Sequence, residues 1–401
     1  MGNKSIYIDI FAGCGGLSTG LLNAGWTGLF AVEKNEDAFA TLKYNLIDNK
    51  KHFMWPEWLP MQAYDINDLF KNYSEELQDL QGKVTLVAGG PPCQGFSMAG
   101  KRNQNDQRNK LVKSYIKFIK LILPKVIIFE NVHGFTVNFK NKKGTKQYSI
   151  YVERALKRLG YKTMHKNIDM SEYGIPQKRK RFILVAMKEC SPEKIFETLN
   201  KNKDAFCANK GITCSTTISD AISDLEKRHG AKQSPDTKGF LAGMYGPAES
   251  GYQRLMRNEI KSTNEVVDSH RFVNHRKEII NLHKDLLENA PVGKRITPSD
   301  NIVANLKRRG VTVLDSTSQA PTITSIPDEL VHYEEPRILT VREHARIQGF
   351  PDWFEFKGKY TSGGKRRKQE VPRYTQVGNA VPPLFAEQIG RAILEVILSD
   401  E

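Results

Sequence analysis

A rhythm confined to the first half of the chain constrains its fold most. Short apolar, β-rich runs alternate there with helical patterns. Residues 6–11, 29–33, 84–88, 125–130 and 181–187 read as strands. Between them lie stretches with apolar residues at three-to-four spacing, such as 17–24 and 111–123. Apolar strands this short are buried on both faces. Alternating with helices, they predict an α/β fold whose mostly parallel sheet is covered on both sides. In such a sheet ligands bind beyond the carboxyl ends of the strands. The residues that follow each run are therefore the candidates for function.

The rhythm stops near residue 188. From there Asn, Lys, Ser, Thr and Gly rise, and basic clusters appear at Arg254/Arg257, Lys294-Arg295 and Lys307-Arg308-Arg309. Residues 189–327 read as a second, smaller and irregular domain. Helical patterns return at 340–349 and 381–398. A run of cations, Gly363-Gly-Lys-Arg-Arg-Lys368, reads as either a DNA-facing loop or a solvated charge run. Lys and Arg number 60 against 45 Asp and Glu, a net charge of +15 over 401 residues. Such a surplus attracts a polyanion, nucleic acid or an anionic membrane. No apolar run approaches the roughly 18 residues of a membrane span, and the amino terminus lacks a secretory signal pattern. The five cysteines (Cys14, Cys93, Cys190, Cys207, Cys214) contain no Cys-x-x-Cys pair, which argues against a disulfide framework and a Cys-rich zinc site. A reduced, intracellular protein is expected.

Phe11-Ala-Gly13-Cys-Gly15-Gly16 follows the first strand and opens a helix. Glycines there let the backbone approach a ligand or let the helix pack on the strand. Their spacing departs from the Gly-x-Gly-x-x-Gly of dinucleotide enzymes. Glu33 ends the next strand, about 20 residues on, where a carboxylate can accept both ribose hydroxyls. Asp65 sits as if at the end of a third strand, to accept from an adenine amino group or to cap a turn. With no phosphate-cradling glycine run, the turn favours an adenosine cofactor lacking a polyphosphate.

Gly89-Gly-Pro-Pro-Cys93-Gln-Gly-Phe-Ser97 follows another strand. Two prolines stiffen the approach to Cys93, and Gly95 permits a sharp turn behind it. A cysteine so presented reads as a thiolate nucleophile, against the alternative of a small buried hydrophobe. Glu130, after the next strand, belongs on the same sheet edge and is placed to share a proton. Gln177-Lys-Arg179-Lys-Arg181 opens the last strand; its arginines project to one face and its lysines to the other. The arginine face suits an anion or a carbonyl, and the run also reads as a charged sheet margin.

Together these motifs resemble the DNA (cytosine-5)-methyltransferases of bacterial restriction-modification systems. The resemblance rests on Asp9-Ile-Phe-Ala-Gly-Cys-Gly-Gly16, Gly90-Pro-Pro-Cys-Gln-Gly-Phe-Ser97, Glu130-Asn-Val132, Gln177-x-Arg-x-Arg181, Arg337-x-x-Thr-x-x-Glu343 and Gln376-Val-Gly-Asn-Ala-Val-Pro-Pro383, in that order. It implies an S-adenosylmethionine-dependent methyltransferase fold, Rossmann-like and doubly wound, with S-adenosylhomocysteine as product and no metal. It implies a discontinuous catalytic domain, 1–188 plus 328–401, and a target-recognition domain over 189–327. The catalytic set it implies is Cys93, Glu130, Arg179 and Arg181. Arg181 then reads the base carbonyl, while Arg179 holds a phosphate or the Glu. Phe11, Gly13, Gly15, Glu33, Asp65, Pro92, Asn379 and Val381 are the cofactor set. Gln94, Ser97, Lys307, Arg308 and Arg309 are the candidate DNA contacts, a solvated charge run being the alternative for the last three.

The implied partner is double-stranded DNA, whose target cytosine must be flipped from the stack. The thiolate adds to carbon 6, Glu130 binds ring nitrogen 3, and no residue is identified as the base for the carbon 5 proton. A tRNA cytosine-5 methyltransferase of the same family, or a catalytically weak DNA-binding relative, is the alternative; a nicotinamide dehydrogenase leaves Cys93 unexplained. The resemblance further implies a cytoplasmic, prokaryotic, nucleoid-associated monomer, with a cognate restriction endonuclease acting on the same site without a stable complex. The first motif begins within a dozen residues of Met1, which suggests a stand-alone enzyme.

Overall fold

The structure, a computed structural model, describes residues 5–92, 109–136, 139–141, 144–146, 148–303, 306, 310–362 and 370–399. It divides into two compact units. One comprises residues 1–170, 180–203 and 385–401, the other 171–179 and 204–384. These bounds lie beyond the sequence-based ones at 188 and 328, because compactness and motif order divide the chain by different criteria.

The first unit is built on a six-stranded sheet. Its strands are β1 (Ile6–Ile10), β2 (Thr27–Val32), β3 (Leu86–Gly89), β4 (Val126–Val132), β5 (Lys162–Asp169) and β6 (Lys180–Met187), in the order β2-β1-β3-β4-β6-β5. β1 runs parallel to β2 and β3, and β3 runs parallel to β4. Only β6 opposes its neighbours, pairing antiparallel with both β4 and β5. The mostly parallel sheet is thus as expected, and its one reversal has a consequence. Because β6 enters against the direction of β4, its first residues lie at β4's carboxyl end, with Arg181 opposite Val132.

Both faces are covered. Ile8, Ile10, Val87, Ile127 and Phe129 share a core with Tyr115, Phe118 and Ile122 of the helix Asn109–Ile122 and with Val152 and Leu156 of Tyr148–Arg158. On the other face Asp9 accepts from Ser18 Oγ of the helix Gly16–Asn23 at 2.6 Å. The tail helix packs against that same helix: Trp26 Nε1 donates to Gly390 O at 3.0 Å, and a Cβ at Gly390 would stand 3.0 Å from both Ala24 and Leu21. Thus residues from 385 onward close the first unit. No strand forms around Asp65, contrary to the sequence reading. The segment reaches the end of β2 through one backbone bond, Tyr64 N to Glu33 O at 2.8 Å, and then starts the helix Ile66–Asn72.

The second unit holds small sheets around a buried helix. β7 (Ala231–Gln233), β8 (Leu241–Met244) and β9 (Val266–Arg271) form an antiparallel trio. All eight residues of the helix Val341–Gln348 are buried, its charged ones included. Thr340 and Glu343 form a reciprocal capping box, with Thr340 N donating to Glu343 Oε2 at 2.7 Å. Arg337 forks onto the same carboxylate at 2.7 and 2.8 Å. Burial would raise Glu343, but the Arg337 guanidinium overrides it and holds the carboxyl far below its usual range. Arg346 likewise contacts Asp352 at 2.6 Å and Asp224 at 3.2 Å. Charges this deep persist only when paired, which explains the Arg337-x-x-Thr-x-x-Glu343 spacing.

Candidate active site

The carboxyl ends of β1, β3 and β4 assemble three loops on one edge of the first unit. After β1 the backbone turns sharply. Phe11 adopts a left-handed conformation at φ 60°, an uncommon one for a bulky residue, while Gly13 and Gly15 sit at 58° and 95°. A Cβ on Gly13 would meet nothing within 4 Å, so the backbone there is open to a ligand; one on Gly15 would strike Leu46 at 2.9 Å. The carboxylate of Glu33 stands beside this turn. It accepts from Gly13 N at 2.9 Å and from Asn35 N at 2.7 Å. Burial pushes Glu33 upward, and the amides of Asn35, Gly13 and Lys34 oppose that shift. Two carboxylate oxygens offer about four acceptor positions, which leaves capacity for ribose hydroxyls. Phe11, Gly13 and Glu33 therefore fit the adenosine cofactor expected there. Burial also raises Asp9 to about 7 and the Cys14 thiol to about 12, so Cys14 is no thiolate near neutral pH.

Asp65 caps the helix Ile66–Asn72, one residue beyond the backbone bond from Tyr64 to Glu33. Its Oδ1 accepts from Asn67 N at 2.9 Å, and Oδ2 pairs with Lys34 at 2.9 Å. The capping alternative raised by the sequence is what forms.

The doubled glycine at the end of β3 has a steric cause that the sequence reading missed. A Cβ on Gly89 would stand 1.9 Å from Ile10 O, and one on Gly90 1.8 Å from Glu130 O. Neither position tolerates a side chain, because β1 and β4 crowd the chain from either side. Asn131 adds a tie, donating from Nδ2 to Pro91 O at 3.1 Å. The strand bearing Glu130 therefore grips the Pro91-Pro92 segment. Cys93, one residue further, lies outside the described residues, as do Gln94 and Ser97; Pro92 itself is exposed. Arg181 Nε approaches Glu130 Oε1 at 3.1 Å, and both side chains are mostly buried, 13% and 18% exposed.

Arg179 is 1% exposed and donates to the carbonyls of Ile323 at 3.1 Å, Gly378 at 2.9 Å and Ala380 at 3.2 Å. A guanidinium so engaged braces backbone. The segment it braces carries two members of the proposed cofactor set. Asn379 ends the helix Arg373–Asn379 and is exposed, and Val381 is half-buried. Gln177 completes the brace, accepting from Ile323 N at 2.9 Å and donating to Gln348 Oε1 at 2.5 Å. Lys307, Arg308, Arg309 and the cationic run 363–368 lie outside the described residues. Among the described residues no group of three or more His, Cys, Asp or Glu is placed to hold a metal ion, and no helix is long and apolar enough to cross a membrane.

Comparison with known proteins bears on the same residues. The model of the C-5 cytosine-specific DNA methylase family matches residues 6–395. The type II methyltransferase M.XorII of Xanthomonas oryzae pv. oryzae is 29% identical, over 98% of this chain and 85% of its own length. M.PspPI of a Psychrobacter species is 31% identical, over 97% of this chain and 79% of that protein. Among solved structures, a prophage-encoded E. coli protein described as a DNA modification methyltransferase superposes with a TM-score of 0.65 at 22% identity, covering 98% of this chain and 99% of that one. The last likeness carries the fold, and the family match carries the chemistry: the chain belongs to the C-5 cytosine-specific DNA methylases and is a DNA cytosine-5 methyltransferase.

Proposed function

We propose that the protein methylates carbon 5 of a flipped cytosine in a specific duplex DNA sequence through a covalent adduct of Cys93. The observation that carries this reading is the clamp on Gly90 and Pro91 by the Glu130 backbone and the Asn131 side chain, which holds the start of the Pro-Pro-Cys motif against the strand that bears Glu130. Cys93 adds as thiolate to carbon 6 of the base, and a proton or hydrogen bond from Glu130 at ring nitrogen 3 receives the displaced electron pair. Carbon 5 thereby gains enamine character. The ion pair with Arg181 orients Glu130, and the same guanidinium reads the base carbonyl. S-adenosylmethionine, when bound, supplies an electrophilic methyl group. Phe11, Gly13, Gly15, Glu33, Pro92, Asn379 and Val381 hold that cofactor, with Asp65 at its margin. Arg179 acts as a positioning residue for the 378–380 segment. After transfer, loss of the carbon 5 proton expels the thiolate. Tritium transfer from labelled cofactor to duplex DNA, with tRNA as the competing acceptor, tests the reading; label in tRNA alone would overturn it.

In this reading, residues 1–188 with 328–401 carry the chemistry and 189–327 choose the sequence, with Gln94, Ser97, Lys307, Arg308 and Arg309 among the DNA contacts. The type II relatives support a place in restriction-modification: a cytoplasmic monomer that protects the site of a cognate endonuclease without a stable complex. Two expected results follow. Alanine at Glu33 or at Asn379 weakens S-adenosylhomocysteine binding by about 1–3 kcal/mol, the cost of a lost hydrogen bond that leaves the bound ligand's polar group unpaired. Calorimetry checks this, and unchanged affinity in both variants would refute a shared site. Grafting residues 189–327 from a relative with another target moves methylation to the donor's sequence, as bisulfite sequencing of plasmid DNA reads out. A chimera that kept the original target would put recognition elsewhere.

A further inference from the structure

The second unit carries a cation that its own carboxylates do not balance. Arg271 ends β9, and its guanidinium carbon lies 4.2 Å from the centroid of Phe240 and 3.8 Å from that of Tyr360. Its Nη1 reaches Thr237 Oγ1 at 3.4 Å, and its buried Nε meets no acceptor among the described residues. A guanidinium offers five N–H donors, so most of this one's capacity is unspent. Arg373 lies over the same Tyr360 ring at 4.2 Å and is satisfied. It pairs with Asp236 at 2.7 Å and donates to Ser269 Oγ at 3.1 Å and to Gly358 O at 2.9 Å.

Asp236 is fully engaged as well, accepting from Ser234 Oγ, Thr237 Oγ1 and Tyr360 Oη besides Arg373. Asp268, at the other end of the group, is taken by Arg342 at 2.9 Å and by Ser269 Oγ at 2.8 Å. The excess at this place is therefore one positive charge, held between two rings. Burial lowers the Arg271 pKa, so an anion beside it would relieve a charge that is already partly stripped of water. Lys238, exposed in the same turn as Thr237, adds a second cation.

We propose that Arg271, clamped between Phe240 and Tyr360 with the Thr237 hydroxyl beside it, is the seat of one backbone phosphate of the substrate duplex. The proposal rests on the DNA-methylating reading above. What the seat has in excess is charge, and charge is what every phosphate offers regardless of sequence; a base edge offers a pattern of donors and acceptors instead. The two rings fix the plane of the guanidinium, so the contact would set the register of the duplex rather than read it.

The test measures binding of the full-length protein to cognate and unrelated duplexes over a series of salt concentrations, with S-adenosylhomocysteine present. Arg271→Gln is expected to weaken both duplexes by a similar factor, about tenfold, and to flatten the log–log salt dependence by about 0.9, the slope of one lost phosphate contact. Arg271→Lys keeps the charge and should retain the slope. With the wild-type protein, a neutral methylphosphonate placed at successive positions should weaken binding sharply at one phosphate, and that penalty should shrink in Arg271→Gln. Loss confined to the cognate duplex, with relaxed sequence preference, would make Arg271 a base reader and overturn the phosphate seat. Unchanged affinity and slope in a folded Arg271→Gln would leave only packing between the rings and overturn it too. A wild type that labels tRNA but no duplex would instead defeat the underlying reading, which separates the two failures.

Discussion

Cys93→Ser abolishes methyl transfer while duplex DNA still binds. The hydroxyl that replaces the thiol is a weak nucleophile at neutral pH, with no adjacent base assigned to activate it. Removing the nucleophile of a covalent mechanism costs about 10⁶ in turnover in a serine protease, and a loss of at least about 10³-fold is expected here. Duplex DNA with 5-fluorocytosine at the target separates a nucleophile from a merely structural thiol. Fluorine cannot leave as a proton does, so elimination stalls and the wild type remains attached through denaturing electrophoresis; the serine variant should not. Serine turnover within tenfold of wild type, or a trapped complex in both proteins, would remove Cys93 from the mechanism. Cys14 provides the internal contrast. Burial raises its thiol to about 12, so Cys14→Ala should neither prevent trapping nor slow it at neutral pH.

Much of this site was legible because its residues sit where short apolar strands stop. Ile6–Ile10, Leu86–Gly89 and Val126–Val132 announce themselves by composition, and the loops after them carry Phe11, Gly90 and Glu130. Lys162–Asp169 was invisible for the opposite reason. It is an edge strand, largely exposed, and its Lys, Thr, His and Asn residues read as loop. Without it the reversal of Lys180–Met187 cannot be inferred, nor can the pairing that brings Arg181 beside Glu130. The bracing contacts of Arg179 are not legible in the sequence, because alternation in a strand predicts a shared face but says nothing about which partners lie there. Its partners, Ile323, Gly378 and Ala380, are 144 to 201 residues away in sequence. Asp65 shows a local limit. A cap and a ligand contact demand the same residue type, and only the folded chain brings Asn67 and Lys34 to its oxygens.

Gly90→Ala should cost both stability and turnover, by a route the sequence alone does not expose. The new methyl would stand 1.8 Å from Glu130 O and 2.8 Å from Glu130 C, which are backbone atoms in the interior of the sheet and cannot rotate away. One of the two segments must move. Overpacking of this kind costs about 1–3 kcal/mol, and the rigid obstacle places the expectation at the upper end. The displacement falls on Pro91, which Asn131 holds at 3.1 Å, and passes along the chain to Cys93. A misplacement of about 1 Å between a nucleophile and its target costs about 10²-fold in rate. Gly90→Ala should therefore retain duplex binding, melt at lower temperature and lose about 10²-fold in kcat, with trapping on 5-fluorocytosine slowed to match. Gly160→Ala is the control for backbone strain alone: Gly160 has φ 87° with nothing within 4 Å of its Cβ position, and it lies in the turn between the helix Tyr148–Arg158 and β5. Its variant should lose stability without losing turnover or trapping. A Gly90→Ala protein with wild-type kcat would show that the Pro-Pro-Cys segment is positioned by something other than its contact with the Glu130 backbone.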